Sequence, residues 1–362
     1  MLGFCFASWA SRIPYIQQRL SLTEGQFGFI LLALPAGSFV SLPFAGFMVA
    51  KYGSKKVLCI VSTLYGLTLI AIGLSANHIQ LILSLFCFGL IGNAGNISVN
   101  TQAVGVELLY KKQIMATFHG MWSLAGFAGA AAGILMNSLH LVPYQHFTIV
   151  CIISFIIIAV AHRYLLPDVM TSNEKTPLFA LPDKSLVVLG LIAFCCMLCE
   201  GAMFDWSGIY FKKVVNPSPA LVGAGYTAFM STMAASRFVS DHFTNRYGFK
   251  IIVKISGLTI MTGLLIAVVF PYFYPVLIGF LLVGAGVSSI VPMVYSAAGK
   301  STKMSPGKAL ASVSTISFLG FLIGPPIIGM IAGFSGLRFS FALIAIVGLC
   351  ITLLARLSRD RY

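Results

Sequence analysis

Long apolar stretches alternate with short polar segments along the whole of this chain. About 20 apolar residues in succession are enough to cross a membrane as an α-helix, and twelve stretches come close to that length. They lie near 1–18, 25–50, 57–76, 79–104, 113–137 and 146–165, and then near 185–211, 220–240, 250–270, 275–298, 308–333 and 338–357. This pattern predicts an all-α membrane protein with twelve transmembrane helices.

One polar segment, 166–184, is unlike the others. It combines prolines with charged and amide side chains, and it is too short and too polar to bury a core. We therefore predict an N-terminal six-helix bundle at 1–165, a cytoplasmic linker at 166–184 and a C-terminal six-helix bundle at 185–362.

The two sets of six stretches repeat each other. Three landmarks recur in the second half: a tryptophan, a Tyr-Gly pair close to a lysine, and a Gly-Phe pair. The paired positions are Trp9 and Trp206, Gly53 and Gly248, and Gly126 and Gly320, which are 197, 195 and 194 residues apart. A nearly constant offset indicates two homologous, pseudo-symmetric halves. Such repeats are typical of transporters whose substrate site lies between them.

The composition indicates a protein surrounded by lipid. Apolar residues make up 58% of the chain and charged residues only 9%, against roughly 25% charged in soluble domains. So few charges cannot cover a water-exposed surface. The net charge of +14 is also typical of nucleic-acid-binding proteins, but here the basic residues alternate with apolar spans and form no patch. We therefore expect the lipid bilayer as a partner, and no nucleic acid.

The basic residues are distributed unequally between the two sides of the membrane. If the first stretch runs outward, 17 of the 23 Lys and Arg residues lie on the inner side and five on the outer side, with Arg237 left inside the eighth stretch. The positive-inside rule then places both termini and the linker in the cytoplasm of a multi-pass protein of the cell inner membrane. Met1 lies inside an apolar run whose cytoplasmic end is short, which leaves room for native residues before it.

Neither a metal nor a cofactor is expected. All eight cysteines lie inside apolar stretches. Cys196 and Cys199 have the spacing of metal ligands, but a membrane helix rich in small apolar residues explains them better. No glycine-rich loop for nucleotide phosphates occurs in the sequence, so the expected source of energy is an ion gradient and not ATP.

Three asparagines, Asn93, Asn96 and Asn100, recur at spacings of three and four residues on the fourth stretch and therefore share one helical face. Exposing three amides to lipid carries a large desolvation cost, so this face must meet protein or water. Amides both donate and accept hydrogen bonds, which suits a hydroxyl-bearing ligand. We predict that this asparagine stripe lines a substrate cavity. Helix–helix association through polar side chains is the alternative.

Glu200 lies deep in the seventh stretch, about 15 residues or about 22 Å from its inner end. An ionised carboxylate is costly there, so it must be paired, hydrated or protonated. Because apolar surroundings favour the neutral form of a carboxyl group, Glu200 is our candidate for both substrate binding and proton coupling. A structural hydrogen bond to a neighbouring helix is the alternative.

Asp205 is a second acid in the same stretch. It lies about 140° around the helix from Glu200, so the two acids do not share a face. The repeat offset aligns Asp205 with Ser8, close to Arg12. We predict that Arg12 and Asp205 form an outer gate, and Asp205 is a further candidate for proton coupling. Two unrelated charges that reach lipid headgroups are the alternative.

Several further side chains are candidates for substrate binding. Trp9 and Trp206 occupy equivalent positions and offer stacking faces for a sugar ring or an apolar ligand. Tryptophan at the end of a span is, alternatively, an interfacial anchor. His119 and Trp122 lie one turn apart on the fifth stretch, and Tyr226 adds a hydroxyl to the eighth. A lone intramembrane histidine is also commonly a packing residue.

A glycine-rich basic segment, 46–56, joins the second and third stretches and has a counterpart between the eighth and ninth. Glycine permits a tight turn and close helix approach, and the cations can interact with helix C-termini. The predicted gating residues of the two segments are Gly46, Lys51, Gly53, Lys55, Arg237, Asp241, Arg246 and Gly248. Arg237 and Asp241 are four residues apart and can form an ion pair. The alternative is that the basic residues of these segments are ordinary cytoplasmic charges without a gating role.

At the segment 46–56 the sequence resembles the major facilitator superfamily, whose signature joins the second and third spans. Ala50 occupies the usual aspartate position, and Asn245 does so in the second copy, so gate contacts that need this aspartate are not carried over. Three further segments are similar to the YbjJ/MosC-like branch: 7–14, 118–124 and 200–207. The resemblance implies two six-helix bundles, a central site lined by spans one, four, seven and ten, and a link to inositol-type or sugar-like compounds.

Together these features predict a monomeric secondary transporter, not an enzyme, that moves a small polar solute such as a sugar or polyol by alternating access. Protons or another coupling ion are the expected energy source. The alternative is a proton-driven exporter of amphipathic compounds or drugs, which would use the aromatic side chains more than the amides. A membrane-embedded enzyme, for which no nucleophile is visible, and a transport-dead sensor or scaffold are the remaining alternatives.

Overall fold

The chain divides into two compact units, Met1–Glu174 and Lys175–Tyr362. The residues described by the computed structural model are 1–110, 115–167, 184–299 and 306–357. Regular secondary structure within these residues is entirely helical. The division between the units falls inside the predicted linker, 166–184, most of which lies outside the described residues.

The first unit is built from helices that follow the predicted apolar stretches. Its helices are α1 (Leu2–Arg19), α2 (Glu24–Leu31), α3 (Ala33–Tyr52), α4 (Ser54–Leu74), α5 (His78–Tyr110), α6 (Met115–Ser138) and α7 (Pro143–Ala161). The second predicted stretch is divided between α2 and α3 at Leu32, whose backbone stays helical with φ −56° and ψ −27°. Pro35, one turn later, has no amide hydrogen to continue the ladder, which accounts for the interruption.

The second unit has the same order of long helices. They are α8 (Lys184–Tyr210), α9 (Ala224–Tyr247), α10 (Phe249–Val269), α11 (Phe273–Gly299) and α12 (Pro306–Leu357). α12 contains a break at Gly336, where φ is 81° and ψ is 162°. A positive φ is accessible to glycine at little cost. The last two predicted stretches, 308–333 and 338–357, therefore meet at this glycine.

Most of these helices are long and apolar enough to cross a membrane. Nine such stretches occur among the described residues, and the last of them, Ser312–Leu357, spans both sides of the Gly336 break. α1 and α9 are not among the nine because polar and charged side chains lower their hydropathy. Adding these two helices and dividing α12 at its break gives the twelve predicted transmembrane helices.

Each unit repeats the same close helix contacts. A Cβ atom added to Gly89 on α5 would collide with the carbonyl oxygen of Leu34 on α3, and one added to Gly284 on α11 would collide with the carbonyl oxygen of Phe229 on α9. The two contacts are related by an offset of 195 residues at both ends. Glycine at these positions allows the helix backbones to touch. The internal repeat read from the sequence is thus present in the packing of each unit.

Candidate functional site

Glu200 is paired with Arg237 inside the second unit. Arg237 Nη2 lies 3.6 Å from Glu200 Oε1, and the two side chains are 14% and 10% exposed. Glu200 belongs to α8 and Arg237 to the neighbouring α9. Among apolar helices, each charge offsets the desolvation cost of the other. The predicted pair of Arg237 with Asp241 stays a prediction, because the side chain of Asp241 lies outside the described residues.

A cluster of aromatic rings lies one helical turn beyond Glu200. The ring centroid of Phe204 on α8 is 6.3 Å from that of Tyr226, 5.7 Å from that of Phe229 and 6.5 Å from that of Phe321. Tyr226 is buried, and its hydroxyl has no hydrogen-bond partner among the residues that the structure describes. The cluster is therefore an apolar wall beside the ion pair that contains one unused hydroxyl group.

Asp205 is buried but separate from this pair. It is 7% exposed, and no cation of the described residues lies within ion-pair distance of it. Five residues of helix turn it away from the face that carries Glu200. The predicted gate between Arg12 and Asp205, and a proton-coupling role for Asp205, stay predictions.

The asparagine stripe on α5 divides into two parts. Asn93 Nδ2 donates a hydrogen bond to the backbone carbonyl of Ser38 on α3 at 3.1 Å, which ties two helices together. Asn96 is exposed and Asn100 is half-buried. Neither makes a hydrogen bond within the described part of the chain. The first amide thus contributes to helix association, whereas the other two remain available to a ligand.

The other predicted binding residues differ in accessibility. Trp9 and Trp206 are fully buried. His119 is exposed on α6, and Trp122 is half-buried with its ring 6.1 Å from that of Phe6. Of these four residues, His119 is the most exposed.

Arg12 is held by two neutral side chains of the first unit that the sequence analysis did not single out. Its Nε donates a hydrogen bond to His146 Nδ1 at 3.1 Å, and its Nη1 donates to Asn137 Oδ1 at 3.2 Å. Arg12 and His146 are 1% and 0% exposed. Both residues lie at the ends of predicted apolar stretches, where burying a polar side chain costs free energy. That position could have identified them from the sequence.

The two predicted gating segments have matching local structure. Gly53 and Gly248 end their helices with φ values of 82° and 80°, a backbone conformation that favours glycine. The Nζ of Lys51 lies 5.3 Å from the ring centroid of Tyr52, and the guanidinium carbon of Arg246 lies 5.5 Å from that of Tyr247. The repeat therefore extends to a cation–aromatic contact just before each glycine.

Gln102 connects the first gating segment to the end of the unit. Its Nε2 donates to Ser54 Oγ at 2.7 Å and to the backbone carbonyl of Leu166 at 3.0 Å, while its Oε1 accepts from the Leu166 amide at 2.8 Å. Ser54 follows the glycine cap directly. This buried amide was missed by the sequence analysis because its partners are remote in the chain.

Gly46 and Lys55 are the remaining predicted gating residues. A Cβ atom added to Gly46 would meet nothing within 4 Å, and Lys55 is half-buried at the start of α4. A gating role for either residue stays a prediction.

An apolar cavity of about 310 Å³ opens within the first unit. Phe118, Trp122 and Met121 of α6 line it together with the first residues of α1. His119 and the asparagine stripe do not line it. Among the described residues, no group of His, Cys, Asp and Glu side chains is arranged to hold a metal ion.

Known proteins are similar to this chain along nearly its whole length. The family model described as Major Facilitator Superfamily matches residues 1–216 and 189–361. An uncharacterized MFS-type transporter of Yersinia pestis is 30% identical over 98% of this chain and 92% of its own length. Membrane protein MosC of Rhizobium meliloti is 29% identical over 96% of this chain and 85% of its own length. These matches confirm the resemblance carried by residues 7–14, 118–124 and 200–207.

Two solved structures have a similar fold at low sequence identity. The nucleoside transporter NupG matches with a TM-score of 0.77 and 13% identity, covering 99% of this chain and 97% of its own. The E. coli fucose:proton symporter FucP matches with a TM-score of 0.60 and 17% identity, covering 99% of this chain and 97% of its own. The predicted fold of two six-helix bundles is confirmed.

Proposed function

Because the chain belongs to the major facilitator superfamily, we propose that it is a secondary active transporter that couples protons to the movement of a small polar solute, sugar-like or polyol-like, by alternating access. The observation that carries this proposal is the ion pair between Glu200 and Arg237, whose side chains are 10% and 14% exposed. A titratable ion pair between two membrane helices is typical of a proton-coupling site.

Protonation of Glu200 would release Arg237. The neutral carboxyl no longer offsets the guanidinium charge, and breaking a buried ion pair costs about 3–5 kcal/mol. A conformation in which Arg237 finds another partner or water is then favoured. The proton on Glu200 thereby biases an equilibrium between two states, which is what coupling requires.

Solute recognition is assigned to the accessible polar groups. Asn96 and Asn100 present amides that hydrogen-bond hydroxyl groups in both directions, and His119 is exposed on α6. The structural neighbours include a nucleoside transporter and a fucose:proton symporter, whose solutes are rich in hydroxyl groups. This supports a sugar-like or polyol-like cargo.

Uptake into proteoliposomes tests the coupling assignment. A thermal-shift screen of sugars, polyols and drugs at two pH values first identifies a solute that stabilises the purified protein. We expect the wild-type protein to accumulate that solute when a proton gradient is imposed. Glu200→Gln should lose accumulation but keep exchange of labelled for unlabelled solute, because glutamine accepts no proton at physiological pH.

The matched control is Glu24→Gln, which neutralises an acid in the first turn of α2 and should leave accumulation unchanged. If Glu200→Gln accumulates solute against a gradient as the wild-type protein does, Glu200 is not the coupling residue. If the wild-type protein moves no solute in either assay, the transporter proposal itself fails.

A second candidate function is proton-driven export of amphipathic compounds. The apolar cavity of about 310 Å³ lined by Trp122 and Phe118 favours it, because drug-sized ligands bind in largely apolar cavities with few polar groups. Stabilisation of the protein by drugs, and not by sugars or polyols, in the same screen would favour export.

We also propose that the protein is a monomer in the cell inner membrane, with 1–165 and 185–362 as its bundles and with both termini and the linker 166–184 in the cytoplasm. The excess of basic residues on one side supports this orientation. A C-terminal reporter that is active only in the cytoplasm tests it, and an inactive fusion contradicts it.

A further inference from the structure

Arg12 and His146 form a contact whose chemistry depends on a single proton. Arg12 Nε donates to His146 Nδ1 at 3.1 Å inside the first unit. A guanidinium group has only donors, so His146 Nδ1 must carry a lone pair and accept. The imidazole in this contact is therefore neutral and carries its proton on Nε2.

A second proton on His146 removes the acceptor. In the imidazolium form both ring nitrogens carry hydrogen, and two like charges would then face each other at about 3 Å with little water to screen them. Arg12 and a proton thus compete for the same lone pair. The contact can exist with the proton absent, or the proton can bind with Arg12 displaced.

The described helices of the first unit provide no anion beside this contact that would stabilise both charges together. Helices α1 and α4 pack against α7, and α6 contributes Asn137. The titratable groups along these helices, apart from the histidine itself, are Cys5, Arg12, Tyr15, Arg19, Lys55, Lys56, Cys59, Tyr65, Tyr144 and Cys151, and His119 on α6. No carboxylate occurs in that set, and among the described residues none lies within ion-pair distance of Arg12.

The hydrogen bonding around Arg12 also leaves two buried nitrogen donors unsatisfied among the described residues. Arg12 Nη2 and His146 Nε2 are buried donors without hydrogen-bond partners in the part of the chain that the structure describes. An unsatisfied buried donor costs about 1–3 kcal/mol. A conformation in which Arg12 leaves this pocket can recover part of that cost, so the contact is suited to be broken and remade.

We propose that His146 is a second proton-binding residue of the transport cycle, and that its protonation releases Arg12 from α7. The inference rests on the proposed function for its place in a transport cycle. The competition between Arg12 and the proton is a property of the first unit alone and can be measured without any solute.

The first experiment follows the imidazole directly. ¹⁵N-histidine NMR of the purified full chain in lipid nanodiscs reports the tautomer and protonation of each ring, and the His146 signals are those that disappear in His146→Gln. We expect wild-type His146 to be neutral with its proton on Nε2. In Arg12→Gln its titration midpoint should rise by about one pH unit or more, because the neighbouring positive charge is gone.

Arg12→Lys separates charge from geometry, because it keeps the charge and loses the planar donor fork. Its midpoint should lie between those of the wild type and Arg12→Gln. The matched control is His78, exposed at the start of α5, whose NMR signals should be the same in both variants as in the wild type. A proton on Nδ1, or the same His146 midpoint in the wild type and Arg12→Gln, would overturn the proposal.

The second experiment tests the place of His146 in transport. Glutamine at this position keeps an acceptor for Arg12 Nε but binds no proton, so His146→Gln should keep solute exchange in proteoliposomes and lose proton-driven accumulation. His146→Asn provides a second variant of different length. Wild-type accumulation in either folded variant overturns the proposal, and so does loss of exchange in both, which would indicate a structural role.

The two experiments separate the two proposals. If the wild-type protein moves no solute while Arg12→Gln shifts the His146 titration, the proposed function fails and the proton-dependent contact stands. If transport is proton-driven and the titration does not shift, the contact fails and the transporter stands.

Discussion

Single residues in this protein show how charge is kept inside apolar helices. Glu200 and Arg237 form an ion pair at 3.6 Å, whereas Arg12 is held by a neutral imidazole and a neutral amide. The first arrangement balances charge, and the second leaves a positive charge in place. Both are expensive in apolar surroundings, which is why the two proposals above assign proton binding to these positions.

Arg237→Gln should destabilise the protein in a pH-dependent way. It leaves the Glu200 carboxyl without its cation, and an unpaired buried charge costs about 3–5 kcal/mol. Because an unpaired carboxylate is costly inside a membrane helix, we expect a lower unfolding temperature than that of the wild type, and the decrease should grow as the pH rises. Thermal unfolding of the purified protein at two pH values measures the difference.

The double variant Glu200→Gln/Arg237→Gln is the matched control, because it removes both charges and should recover most of the lost stability. An unfolding temperature equal to that of the wild type for Arg237→Gln at both pH values would contradict a stabilising ion pair.

Helices within each unit approach one another through glycine. The contacts of Gly89 with Leu34 and of Gly284 with Phe229 bring backbone against backbone. In a bilayer the apolar side chains gain little from meeting each other instead of lipid tails, so close packing is the main source of helix association. The position of a glycine therefore determines which helix faces are neighbours.

Gly89→Ala and Gly284→Ala should each lower stability. The added methyl group meets a carbonyl oxygen that is part of a helix and cannot move alone, and overpacking of this kind costs about 1–3 kcal/mol. Gly46→Ala is the matched control, because its Cβ atom would meet nothing within 4 Å. The unfolding temperatures of the three variants test this prediction. Equal values for all three would show that the close backbone contacts at Gly89 and Gly284 do not limit stability.

The molecule as a whole consists of two similar units, and in each unit a different arginine binds the carbonyl groups at an equivalent helix end. Arg19 of α1 donates to the carbonyl oxygens of Gly73 and Ser75 at 2.8 and 2.7 Å. Arg338 of α12 donates to that of Val268 at 2.7 Å. Gly73 and Val268 are equivalent by the 195-residue offset. In each unit an arginine thus satisfies free carbonyl groups at the C-terminus of a helix and complements its dipole.

Arg19→Gln and Arg338→Gln should therefore have similar effects. Each removes charged donors from a helix end at an exposed position, so we expect a loss of about 0.5–1.5 kcal/mol for each. Lys56→Gln, at an exposed position on α4, should change stability little. Chemical unfolding of the three variants measures this, and a large effect of only one arginine would contradict the equivalence.

The sequence by itself determined the class of protein, the number and approximate limits of its helices, and the internal repeat. Span length, hydropathy and the offset between paired motifs are properties of the chain that do not depend on which helices become neighbours. It also identified Glu200 as a costly intramembrane charge, because that cost follows from position in an apolar stretch alone.

Only the tertiary structure decided the partners of the buried charges. The cation beside Glu200 is Arg237, which belongs to the next helix. The acceptor for Arg12 Nε is His146, which is 134 residues away in the chain. The same packing ties Asn93 to the backbone of α3 and leaves Asn96 and Asn100 available. Helical periodicity places residues on a face, but which helix covers that face depends on contacts between segments distant in sequence.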